Sequence, residues 1–152
     1  MRETRTRCAR APGYVRWLEG KLTVASVPGK EPLEVATPPE FQGGVEGVWS
    51  PEDLFVGAVA TCYTVTLISA TRRRGVPVRS LEVRSFGDLS RRPDERFGFV
   101  GVQLAVELAT DPGYEAEARA TALDAESSCL VVASLDTPVR VHVGVSARAK
   151  AA

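Results

Sequence analysis

The sequence has few of the side chains that build metal sites and disulfide frameworks. Its 152 residues include three cysteines and one histidine. The cysteines form no Cys-x-x-Cys pair, and an odd number does not make the disulfide framework of a small secreted protein. Cys8, Cys62, Cys129 and His142 also lack the spacing of a metal-ligand set. We therefore expect no bound metal.

The chain also has no net charge and no long uninterrupted apolar run. Its 19 basic residues balance 19 acidic ones, which does not favour nucleic acid or an anionic membrane as a partner. The longest apolar run, residues 54–70, contains Gly57 and four threonines or serines. It barely reaches the lower limit of about 17 residues for a membrane span. We expect it to be a core helix of a cytoplasmic protein.

The length of 152 residues suits one domain, residues 1–152, with a single sizeable core. Residues 1–12 are basic, but no hydrophobic stretch follows them, so they do not read as a targeting peptide. We expect a flexible arm there, and Cys8 within it is assigned no role.

Hydrophobic periodicity and turn residues predict an α+β fold with antiparallel sheets. Strands are expected at residues 14–18, 21–27, 33–36, 78–86, 99–108 and 139–146, and helices at 50–74 and 114–126. The alternation in the last strand places His142 on its polar face, which gives a catalytic role little support.

The first helix has clear boundaries and no charged face. Ser50 can cap it, Pro51 suits its first position, and Gly75 can end it. The residues from 54 to 70 are apolar or small on every side, which predicts burial nearly all round. A chain of this size has difficulty covering such a helix alone, so we expect a homodimer.

Cys62 lies within this helix, and Cys129 lies where the second helix meets an apolar run. Two interpretations remain open from the residues alone: two inert core thiols, or a reactive pair brought together by the fold. A reactive thiol needs a nearby cation or a favourable dipole to lower its pKa.

Three features together resemble the OsmC/Ohr family, the osmotically induced and organic hydroperoxide resistance proteins. They are the loop at residues 36–44 with its Thr-Pro and paired glycines, the helix start and cysteine at residues 50–62, and a second cysteine 67 residues after the first. The resemblance covers nearly the whole chain after Tyr14.

The resemblance implies an intertwined homodimer whose sheets wrap around the long helix, with active sites at the subunit interface. Cys62 would be the peroxidatic thiolate and Cys129 the resolving thiol that closes a disulfide. Glu52 would hold an arginine against the thiolate. The reductant would be a dithiol or a lipoylated protein, and the thiol cycle would need no metal, flavin or other cofactor.

Two positions depart from the Ohr pattern. Leu18 stands where the activating arginine is expected, and Arg16, two residues earlier on the same strand face, is the substitute candidate. Leu130 and Val131 follow the second cysteine, where Ohr proteins continue with proline and an aromatic residue. The chain therefore resembles the broader OsmC-like branch more than Ohr itself.

These features lead to two functional hypotheses. The first is a cysteine-based peroxidase for organic hydroperoxides, with hydrogen peroxide as a poorer substrate, in oxidative-stress defence. The apolar first helix, Phe41 and Trp49 favour a substrate with an alkyl body. The alternative is a non-catalytic OsmC-like dimer that binds a small apolar ligand, with structural or vestigial cysteines.

Overall fold

The computed structural model describes residues 11–148. The expected arm at residues 1–12 falls almost entirely outside this range, as does Cys8. The chain divides into two compact units, one ending at Asp53 and the other beginning at Leu54, and each is described by itself.

The first unit is a three-stranded antiparallel sheet in the order β1-β2-β3. Its strands are β1 (Tyr14–Glu19), β2 (Leu22–Ser26) and β3 (Leu33–Ala36). The loop that follows is tightly shaped, because a Cβ at Gly44 would overlap the backbone of Pro38 and Pro39. The positions of β1, β2 and β3 confirm three of the expected strands to within two residues at each end.

The long helix α1 runs from Pro51 to Arg74, as its end signals predicted. The Ser50 hydroxyl accepts a hydrogen bond from the Asp53 N–H at 3.0 Å, and the Asp53 carboxylate accepts one from the Ser50 N–H at 2.8 Å. This reciprocal pair satisfies donors that a helix start leaves without partners. Gly75 ends the helix with φ of 67°, a left-handed conformation that glycine adopts without strain.

The second sheet has the order β4-β5-β6. Its elements in chain order are β4 (Val78–Arg91), β5 (Phe97–Thr110), α2 (Glu115–Ala125), a 3₁₀ turn (Glu126–Ser128), α3 (Leu130–Ala133) and β6 (Val139–Ala147). The β4–β5 hairpin is antiparallel and longer at its tip than expected.

One strand pair differs from the expected antiparallel arrangement. β6 pairs parallel to β5, with Val106 opposite Val143. The chain returns through α2, which covers the sheet, and such a crossover through a helix joins parallel strands. Alternation with a period of two shows which face of a strand is buried, but it does not show whether neighbouring strands run parallel or antiparallel. The sequence pattern therefore could not reveal the parallel pairing of β5 and β6.

The core of the second unit lies between α1, α2 and the inward face of this sheet. It includes Val59, Tyr63, Leu67, Leu104 and Ala122, all fully buried. The Tyr63 hydroxyl donates a hydrogen bond of 2.7 Å to the Ala122 carbonyl and so ties α1 to α2.

The expectation that α1 is buried nearly all round does not hold within the single chain. Its buried residues lie on one side, whereas Val65 and Ile68 are 64% and 36% exposed. By length and composition alone α1 could also cross a membrane, a test that the core helices of soluble proteins pass as well. The exposed apolar side chains are the part of the helix that a partner subunit would have to cover.

A close contact joins the start of α1 to the β4–β5 hairpin. The rings of Phe55 and Phe99 stack with their centres 4.3 Å apart. Phe99 lies against Gly87, where an added Cβ would overlap its ring and would lie 2.8 Å from Val56. The glycine is needed here because the ring and the strand backbone approach so closely.

Candidate active site

The structure brings the two later cysteines together in the second unit. Cys62 lies on α1 and is partly exposed, whereas Cys129 lies just before α3 and is fully buried. Both are free thiols, Cys62 packs against the core cluster that contains Cys129, and each thiol shifts the pKa of the other. The structure thus brings the two cysteines into one region of the fold, and their roles as a peroxidatic and resolving pair stay predictions.

The segment after α2 positions Cys129 and presents backbone donors to the sulfur atoms. Cys129 is extended, with φ of −77° and ψ of 116°, and its carbonyl accepts the hydrogen bond of Ala133 that begins α3. The first N–H groups of a helix have no partner within it, and the Cys129 side chain caps none of them. The N–H groups of Val131 and Leu130 instead act on the Cys62 thiol and favour its ionised form.

These contacts lower the pKa of Cys62. Burial alone would raise it, but hydrogen bonds from the Val131 N–H, the Cys129 thiol and the Leu130 N–H outweigh burial and favour the thiolate. Thr66 makes a smaller contribution, because its single hydroxyl proton also donates to the Cys62 carbonyl at 2.8 Å. The groups that favour the thiolate are uncharged donors.

The pKa of Cys129 moves in the opposite direction. Burial raises it first, and the neighbouring Cys62 raises it further, against the opposing effect of the Val132 N–H. Cys62 is therefore the more acidic of the two thiols, and Cys129 is the one that holds its proton more strongly.

The other two predicted site residues belong to the first unit. Arg16 lies on β1 with an exposed side chain, opposite Val24 of β2. Glu52 lies in the first turn of α1, and its Oε2 atom is buried without a hydrogen-bond partner among the described residues. The roles of Arg16 and Glu52 at the thiolate stay predictions.

Sequence reasoning missed the backbone donors of Leu130 and Val131. The sequence carries no signal for these donors, because every residue except proline has a backbone N–H. Among residues 11–148, no group of three or more histidine, cysteine or acidic side chains is arranged to hold a metal ion.

Comparison with known proteins identifies related chains. The sequence profile of the OsmC-like protein family matches residues 44–144. The Bacillus subtilis protein YmaD is 27% identical over 117 residues, which cover 75% of this chain and 77% of that protein.

Solved structures share the fold. An OsmC-like protein of unknown function from Vibrio cholerae matches with a TM-score of 0.83 and 16% identity, over 90% of this chain and 100% of that one. An organic hydroperoxide resistance protein from Elizabethkingia anophelis matches with a TM-score of 0.76 and 17% identity, over 94% and 99%. The organic hydroperoxide resistance protein OhrB of Bacillus subtilis matches with a TM-score of 0.69 and 18% identity, over 91% of this chain and 98% of that one.

Proposed function

Because this chain belongs to the family of OsmC-like proteins, we propose that it is a thiol-dependent peroxidase that reduces organic hydroperoxides in the cytoplasm, and hydrogen peroxide less well. The observation that carries this proposal is the packing of Cys62 against the buried cluster that contains Cys129, together with a lowered pKa at Cys62 and a raised pKa at Cys129. Three structural neighbours are named organic hydroperoxide resistance proteins, which supports a role in oxidative-stress defence.

The proposed cycle begins at Cys62. Its thiolate attacks the terminal oxygen of the hydroperoxide, the O–O bond breaks, and the alkoxide takes a proton and leaves as an alcohol. The sulfur has then lost two electrons and is a sulfenic acid. The sulfur of Cys129 attacks that sulfenic sulfur, the S–S bond forms, and the thiol proton leaves with the hydroxyl group as water. A dithiol or lipoylated protein reduces the disulfide by thiol–disulfide exchange.

The protonation states suit these roles. A thiolate is the nucleophilic form of cysteine, so the thiol with the lower pKa attacks the peroxide. The resolving thiol is needed only after the sulfenic acid exists, and the packing of Cys62 against the core cluster that contains Cys129 supports this role for Cys129. The burial of Cys129 keeps it from direct contact with a bulky peroxide.

Arg16 and Glu52 complete the proposal. A buried carboxylate oxygen without a partner needs a donor, and a guanidinium is well suited to supply one. Glu52 precedes Cys62 by ten positions on the same helix, a rise of about 15 Å, which is farther than one guanidinium can bridge. We therefore infer that Arg16 and Glu52 serve Cys62 of a second copy in a homodimer. The exposed apolar side of α1 also favours such a dimer.

The test is consumption of tert-butyl or cumene hydroperoxide with dithiothreitol as reductant. Wild type should turn over, and Cys62→Ser should abolish both turnover and sulfenic-acid labelling. Cys129→Ser should leave a trappable sulfenic acid at Cys62 that over-oxidises, because no thiol resolves it. First labelling at Cys129 would reverse the assignment. No turnover above buffer would favour the non-catalytic dimer that binds a small apolar ligand.

A further inference from the structure

Leu130 has the most exposed side chain among the large hydrophobic residues of the described chain, at 74%. It directly follows the buried Cys129 and begins α3. Single exposed leucines are common on protein surfaces, so exposure alone says little. The position of Leu130 next to two reactive thiols distinguishes it from an ordinary surface residue.

The position of Leu130 in the chain brings it into the region of the two thiols. It directly follows Cys129, and its N–H favours the ionised form of Cys62. The side chain branches from the Cα that is bonded to this nitrogen, so an exposed apolar group begins a few bonds from a donor that acts on Cys62. Cys62 and Val131 both pack against the core cluster that contains Cys129, which holds this geometry in place.

We propose that Leu130 is a specificity-determining residue whose side chain contacts the alkyl body of the hydroperoxide while Cys62 attacks its terminal oxygen. This inference rests on the proposed peroxidase function. When the alkyl body of a substrate covers an exposed apolar side chain, both surfaces leave water, and this burial contributes favourable binding free energy. Hydrogen peroxide has no alkyl body and cannot use this contact.

The test compares kcat/KM for cumene hydroperoxide with kcat/KM for hydrogen peroxide. Leu130→Ala should lower the ratio of the two by about tenfold, the scale of a few lost methyl contacts in a specificity site. Leu130→Gln, of similar size but polar, should lower it in the same direction. Both variants keep the backbone N–H that faces Cys62. Leu123→Ala is the matched control, because Leu123 is a half-exposed leucine on α2 and should leave the ratio unchanged.

An unchanged ratio in Leu130→Ala would overturn the inference, and so would a parallel loss with both peroxides. Conversion of a dimer to a monomer by Leu130→Ala, measured by sedimentation, would also overturn it, since Leu130 would then be a subunit contact. Failure of wild type with both peroxides would instead refute the peroxidase function, and the inference with it. The two failures are thus distinguishable.

Discussion

Replacement of Leu130 by proline should raise the pKa of Cys62, because it removes one backbone N–H group. Proline has no backbone N–H, so the variant removes one of the donors that face the thiolate. The fold should accept the change, because position 130 is the first residue of α3, where proline is favoured. Cys129, the preceding residue, already has the extended backbone that proline requires of its neighbour.

The size of the effect follows from the strength of one hydrogen bond. A net contribution of about 1 kcal/mol corresponds to about a fivefold change in the equilibrium between thiol and thiolate. The lost donor stabilised the anion, so the sign is an increase in pKa and a smaller thiolate fraction at neutral pH. The donors from Val131 and Cys129 remain in this variant, so they should still lower the pKa of Cys62.

The assay is the rate of Cys62 alkylation by iodoacetamide as a function of pH, with the labelled peptide identified by mass spectrometry. The curve for Leu130→Pro should shift to higher pH and converge with wild type where both are fully ionised. Leu130→Ala keeps the N–H and separates the loss of the donor from the loss of the side chain. Identical midpoints for the proline and alanine variants would refute the assignment of the Leu130 N–H as a donor.

Arg16→Ala should raise the pKa of Cys62 and slow peroxide reduction more at neutral pH than at about pH 9, and Arg16→Lys should not restore the full rate, since a point charge lacks the planar fork. Superimposable alkylation curves would mean that another group activates the thiol. Gly87→Ala should lower the free energy of unfolding by about 1–3 kcal/mol, because a Cβ would overlap Phe99. Gly101→Ala, where the nearest atom is 3.5 Å away, is its control in denaturant titrations, and equal losses would contradict the argument. Wild type should sediment as a dimer at micromolar concentration, and a stable monomer would show that the exposed side of α1 needs no partner.

The parts of the fold that local chemistry determines were predictable from the sequence. The start of α1 at Pro51 and its end before Gly75 were predicted correctly, because capping and glycine conformations depend on a few neighbouring residues. The strands of the first unit follow from period-two alternation and turn residues in the same way. The residues alone left open whether Cys62 and Cys129 are inert core thiols or a reactive pair, and the family resemblance supplied the pairing, which stays a prediction.

The features that the sequence did not reveal depend on distant parts of the chain. The parallel pairing of β6 with β5 is set by how α2 crosses the sheet, which no local pattern reports. The pKa of Cys62 is lowered by the Val131 N–H, the Cys129 thiol and the Leu130 N–H, and a backbone donor is present at every residue except proline. A charged side chain is easier to identify from sequence, and Arg16 stays a prediction for that reason.

The opposite pKa shifts of the two thiols also determine the pH range in which the pair stabilises the fold. The lowered pKa of Cys62 means that its contribution is lost as the pH falls through that folded value. The raised pKa of Cys129 means that its contribution is lost as the pH rises through its folded value. Both contributions are present together near the ordinary thiol pKa of about 8.5. There, a larger fraction of Cys62 than of Cys129 is ionised, and the proposed cycle requires this order because Cys62 attacks first.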